Sequence, residues 1–399
     1  NAVLQGNPNM TLDYTNVDWN WYVGQLSASG DGTLSAGVFN IINRFDCRSN
    51  QGNDYRPTLV NNAENMRADS VVCTIELNSD YWHFISFPYD VKVSDIHGLN
   101  HTDYVIRQYN SLRRATGEGE GNWEDVPADG TLEAGKGYII KAANHYKESL
   151  NNTFAPRVVF PSRNTVTKNR LFSSDDAIVP LTEYPAEFAH NRSWNLMGNP
   201  YPCYYDMRCL KDEFTTPIVL WRGDSYQAYS PVDDYIILRP GEAFFVQRPI
   251  DVEQMKFGVE GRMHRAAALA ADGTPIYKAP AAESKLGSNR SVFNFVVEGN
   301  GNDDRTRIVI NEEATMDYNT NTDASKFFAE TCKGTEIFVS GDVCYDICER
   351  PLADGTAVIG LRTAQEGSYA LSLNGRNMEG WTVVLTDTET GRSVVLNDA

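Results

Sequence analysis

No apolar run in the 399 residues approaches the ~18 that a membrane-crossing helix requires, so no helical span is expected in this chain. Basic residues are scarce: 35 Lys and Arg stand against 53 Asp and Glu, a formal net charge of −18. Such a surface repels phosphate backbones and anionic lipid, which argues against nucleic acid as a partner. The seven cysteines (Cys47, Cys73, Cys203, Cys209, Cys332, Cys344 and Cys348) include no Cys-x-x-Cys, and no histidine is placed to complete a zinc site. Cys203/Cys209 and Cys344/Cys348 are close enough to bridge across a turn; buried free thiols fit equally well. There is no Gly-x-Ser-x-Gly elbow, no phosphate-cradling glycine loop and no Cys/His pair in a recognisable setting. A non-enzyme without a cofactor is therefore expected. The two carboxylates of a glycosidase have no fixed spacing, so glycoside processing stays open as an alternative.

What the chain does have is an internal echo, the feature that decides architecture. Trp194-Asn195-Leu196-Met197-Gly198-Asn199-Pro200-Tyr201-Pro202 follows Trp82-His83-Phe84-Ile85-Ser86-Phe87-Pro88-Tyr89 at a constant spacing of 112 (194 − 82). Downstream, Leu132-Glu133-Ala134-Gly135-Lys136-Gly137-Tyr138 matches Leu238-Arg239-Pro240-Gly241-Glu242-Ala243-Phe244 at 106 (238 − 132), so one loop is shorter in the second copy. Proline holds its predecessor extended and ends ladder pairing, so each copy opens on a strand that breaks into a loop. Arg239-Pro240-Gly241-Glu242 has the residues of a type II turn, and Ala134-Gly135 fits the same turn. Trp82, Pro88 and Gly135, with Trp194, Pro200 and Gly241, are the expected structural anchors.

The flanking regions read differently. Residues 1–80 are Asn- and turn-rich, with strands at Val38–Ile42 and Val71–Ile75, and are expected to pack on the repeat as an N-terminal β-segment. Residues 81–264 form the duplicated module, with copies at about 82–143 and 194–250. Residues 265–290, Ala-rich and then Gly-, Pro- and Ser-rich, read as a linker. From 291 to 399, seven short strands at regular intervals, the last closed by Asp387-Thr388-Glu389-Thr390-Gly391, predict an immunoglobulin-like β-sandwich. The fold class is thus all-β: a tandem β-module, sandwich or barrel-like, followed by that sandwich. Asn1-Ala2-Val3-Leu4-Gln5-Gly6 lacks the basic start and apolar core of a signal peptide, and the end at Val394-Val395-Leu396 reads as an unclosed strand. A fragment is the expected reading.

Three groups of residues invite a ligand. Trp19 and Trp21 share one face of an extended segment and would stack a sugar, although aromatic pairs more often pack as core. His97-Gly98-Leu99-Asn100-His101 has the outer spacing of a helical zinc motif but lacks its glutamate. Asp317, Asn319, Asn321 and Asp323 alternate oxygen side chains as a calcium loop begins, yet the sixth position is not glycine and the twelfth is Phe328. No metal is expected at either place.

The block at 194–202, with Ile218-Val219-Leu220-Trp221 and Leu238–Val246, resembles a module of large secreted and surface proteins of Bacteroidetes-type bacteria. There it often lies ahead of a C-terminal type IX secretion sorting domain. Asp304–Ile308 through Asp323–Lys326, with Gly367–Leu373, is similar to the β-domain that precedes such tails. No catalytic residue is carried by the resemblance. It implies a secreted or cell-surface, adhesin-like or spacer protein whose partners would be host or surface glycans or proteins. A carbohydrate-binding module is the alternative, since 20 Tyr and 7 Trp could supply stacking faces.

Overall fold

The computed structural model describes residues 10–12, 25–45, 58–77, 82–118, 121–142, 157–163, 173–212, 214–223, 225–264, 289–330, 332 and 334–397. Residues 265–288 of the expected linker lie outside them, as do Trp19, Trp21 and Cys47. The protein is all-β and builds several sheets, with the duplicated module present and the C-terminal strands gathered mainly into one sheet. Compactness divides it into two units. The first is built from Asn1–Glu187, Asn191–Phe214 and Asp234–Ala281.

In copy one, His83–Ser86 runs antiparallel to Gly137–Ala142. That strand pairs Tyr104–Tyr109, which pairs Trp123–Asp125. A short ladder joins Val91–Lys92 to Thr131–Leu132. Copy two repeats the pattern: Trp194–Gly198 pairs Ala243–Gln247 and Tyr204–Asp206 pairs Ile237–Leu238. The registers coincide. Ile85 faces Tyr138 and Ser86 faces Gly137, as their counterparts Met197 and Gly198 face Phe244 and Ala243. Because side chains alternate with period two, a shared register puts equivalent residues on equivalent faces.

The structural repeat exceeds the matching sequence. Thr58–Leu77 runs antiparallel to Arg157–Arg163, enclosing copy one, and Ala177–Pro180 runs antiparallel to Gln254–Phe257, enclosing copy two. Tyr89 and Tyr201, the aromatics after each proline, donate their hydroxyls to the closing strands, at Phe160 O (3.0 Å) and Phe257 O (2.8 Å). Val71, Cys73, Ile75 and Leu77 alternate into the core of copy one beside Val158 and Phe160. Gln25–Phe45 lies parallel to Thr58–Leu77.

The copies meet through a reciprocal contact. Ser86 N donates to Gly241 O (3.0 Å), and Gly198 N donates to Gly135 O (2.9 Å). Ser86 corresponds to Gly198 and Gly135 to Gly241, so the joint is isologous, as between subunits of a two-fold dimer. Gly198 has no substitute here: a Cβ would lie 2.0 Å from Ser86 Cβ. Gly135 (φ 77°) and Gly241 (φ 69°) each close a four-residue turn, with Lys136 N on Glu133 O and Glu242 N on Arg239 O. Only glycine adopts that φ without strain.

The length difference between the copies is also placed. Copy one carries a helix, Ser111–Thr116, capped by Asn110 Oδ1 on Arg113 N and ended by Gly117 at φ 70°. In copy two the corresponding strands, Ile218–Trp221 and Tyr226–Tyr229, form a tight hairpin.

The second unit comprises Phe188–His190, Thr215–Asp233 and Ala282–Ala399, and is therefore larger than 291–399. Ser291–Gly299 and Asn302–Ile310 form a hairpin closed by Asn300 and Gly301, both at positive φ as a type I′ turn demands. The strand order is Val358–Thr363, Thr335–Ser340, Tyr345–Arg350, Asn302–Ile310, Ser291–Gly299, Ala370–Arg376. Among the described strands of this sheet, Asn302–Ile310 and Tyr345–Arg350 pair in parallel and the others antiparallel. Phe293, Phe295, Val297, Ile308, Ile337 and Val339 fill the core, with Leu371, Leu373 and Trp381 against them. Val384–Thr386 pairs Ser393–Val395 around Gly391 at φ 70°.

Candidate functional site

The Trp194 block spends its polar groups on the fold. Asn195 Oδ1 accepts from Thr182 N (2.8 Å) and its Nδ2 donates to Thr182 O (2.9 Å), reproducing a backbone pair. Asn199, fully buried, donates to Cys203 O (2.8 Å) and Arg239 O (2.9 Å) and accepts from Tyr201 N (3.0 Å). Trp194 is 1% exposed, with Arg114 4.9 Å from its ring centre. Trp82 is part-buried, with Arg107 at 5.2 Å and Lys141 at 5.9 Å. Beside it Phe84, Tyr109, Trp123 and Phe245 meet edge to face, at centroid separations of 4.7 to 6.0 Å and interplanar angles of 64° to 85°. Edge-to-face packing suits an aromatic cluster.

The second unit holds the chemically denser arrangement. Lys326, with no exposed side chain, donates its Nζ to Asp304 Oδ2 (2.7 Å), Asp346 Oδ1 (3.0 Å) and Tyr226 O (3.1 Å). Asp304 Oδ2 also accepts from Ile337 N, and Asp346 Oδ2 from Ala228 N, both at 2.8 Å. Burial, with the charge of Asp346 nearby, pushes the Asp304 carboxyl up to about 7; burial also raises Asp346. The two carboxylates raise the Lys326 ammonium against the effect of its burial. Elsewhere in the unit, Arg290 makes bidentate pairs with Asp233 (3.0 and 3.1 Å) and Glu349 (3.2 and 2.6 Å). Arg376 joins Asp233 from the other side. A charge taken out of water is tolerated only with such partners.

The residues singled out in the sequence are dispersed. Asp323 is buried, with Oδ1 accepting from Glu349 N and Oδ2 from Asn319 N, both at 2.7 Å; burial lifts its carboxyl to about 7. Asn319 Oδ1 accepts from Asn321 N (3.0 Å), and Asp317 is exposed. Asn319 and Asp323 thus hold backbone N–H groups of the loop and, through Glu349, of the Tyr345–Arg350 strand. His97 is bound to Asp95 O and His101 to Tyr104 Oη. Cys203, Cys209, Cys332, Cys344 and Cys348 are free thiols, and burial pushes those of Cys203 and Cys348 up to about 12, far from a reactive thiolate.

Sequence reading missed Lys326, Asp304, Asp346, Arg290, Asp233 and Glu349. The available signal was parity: Asp304 shares a strand face with the buried Thr306 and Ile308, where an isolated charge has no place. No family model matches the chain, and neither the curated proteins nor the solved structures yield a match.

Proposed function

We propose that the chain is a non-catalytic segment of a secreted or cell-surface bacterial protein, serving as a spacer or adhesion module of the Bacteroidetes-type envelope. The observation that carries this reading is the use of polar groups for construction. Asn195, Asn199 and Asp323 are saturated by backbone partners, and Arg290 is held between two carboxylates. Groups consumed in this way hold geometry rather than turn over substrate. Host or surface glycans and proteins are the partners this implies. A panel of polysaccharide, ester and peptide substrates tests it alongside arrays of surface glycans and host proteins. The expected result is no turnover, whereas robust hydrolysis of any class would contradict the reading.

Carbohydrate recognition is the second reading, favoured by the part-buried Phe84, Tyr109 and Trp123 on copy one. Titrating tryptophan fluorescence with polysaccharides separates the two: a saturable shift supports recognition, and an unchanged spectrum retires it.

A further inference from the structure

A buried ammonium must be neutralised by carboxylates. Lys326 has two, in a space where side-chain exposure is 0% for Lys326 and Asp304 and 1% for Asp346. Moreover, Asp304 Oδ1 is buried and takes no hydrogen bond. An orphaned acceptor of this kind costs about 1–3 kcal/mol, so its persistence calls for an explanation. The parts around it are those of acyl transfer. A primary amine lies in hydrogen-bond contact with a carboxyl that burial drives towards its neutral acid. A second carboxylate lies 3.0 Å from the same nitrogen, and Ile337 N–H already points at Asp304 Oδ2. Fixed nucleophile, electrophile and proton carrier together supply the proximity that intermolecular amide formation lacks. Exclusion of water removes the competing hydrolysis and makes a neutral amide preferable to a buried ion pair.

We propose that Lys326 and Asp304 become joined by an intramolecular isopeptide bond, with Asp346 carrying the proton. Proton exchange within the pair first gives a neutral amine and a neutral Asp304 acid. The Nζ lone pair then forms a bond to Cγ of Asp304, and negative charge develops on Oδ2, where the Ile337 N–H receives it. Asp346 accepts a proton from the nitrogen and returns it to Oδ1. The Cγ–Oδ1 bond breaks, Oδ1 departs as water, and Asp346 ends as it began. The products are one amide and one water, with no oxidant, reductant or further reactant. Tyr226 O, 3.1 Å from Nζ, holds the nitrogen in place throughout. The bond ties the Asn302–Ile310 strand to the segment after Ala324–Ser325, a covalent clamp of the kind that withstands pulling or proteolysis.

The intact mass of the full chain under denaturing conditions tests this directly. The expected mass is below that of the sequence by one water, and proteolytic fragments should contain the Asp304 and Lys326 peptides joined. A full sequence mass overturns the proposal, as does a water loss that maps elsewhere, for instance to the Asp354-Gly355 step. Lys326→Arg keeps the positive charge without the nucleophile and should show the full mass. Asp346→Asn leaves both bonding partners but removes the proton carrier, so it too should show the full mass. Cross-linking to the wild-type extent in Asp346→Asn would overturn the assigned mechanism.

Discussion

Residues that duplication copied have not all kept the same weight. Trp194 is enclosed and Trp82 only partly so. Trp194→Ala is expected to cost about 3–5 kcal/mol, the range for emptying an aromatic core site. Trp82→Ala should cost less, and urea unfolding of the two variants measures both. Asp323 makes stability depend on pH. Its carboxyl sits at about 7 when folded, against about 3.9 in an unfolded chain, so between those values the folded state holds a proton that the unfolded state has lost. Stability should therefore fall as pH rises through about 7, and the melting temperature at about pH 5 should exceed that at about pH 8. Asp323→Asn should shrink that difference. Since the oxygens of Asn319 and Asp323 already hold backbone N–H groups, a calcium chelator should leave the melting temperature unchanged; a fall of several degrees would reverse this.

At the scale of elements, the duplication was legible because tryptophan, proline and glycine at fixed offsets carry conformational meaning wherever they occur. Gly135 and Gly241 read as turns from the sequence and stand at positive φ in the structure. The helix Ser111–Thr116 went unread: six residues present too little apolar period, and its signals reduce to Asn110 and Gly117 at its ends. Tyr345–Arg350 was unread for a different reason. Alternation arguments send charge outward, whereas Asp346 and Glu349 turn inward to meet Lys326 and Arg290. The strands enclosing each copy share fold but not sequence, so no sequence match could have extended the repeat to them. Gly198→Ala tests the joint between copies: the added methyl meets Ser86, and overpacking of this kind costs about 1–3 kcal/mol, more if the edges cannot separate. Chemical denaturation would show it.

At the scale of the whole molecule, the strands from Ser291 onward belong to a unit that also takes in Thr215–Asp233. Asp233, Tyr226 and Ala228 supply partners to Arg290, Lys326 and Asp346, and all three lie in Thr215–Asp233. A chain of residues 291–399 alone lacks them and Arg290 too, leaving Lys326 and Asp346 short of hydrogen-bond partners. It should show no cooperative melt by circular dichroism, and a sharp transition would contradict this. In the first unit the central claim is that two equivalent copies are joined through equivalent backbone groups, and hydrogen exchange at single-amide resolution on the intact chain tests it most directly. The Ser86 and Gly198 amides should exchange as slowly as those inside the ladders of His83–Ser86 and Trp194–Gly198, since each is bound to the opposite copy. Exchange of either at the rate of an exposed loop amide would mean that the copies are not joined in this way.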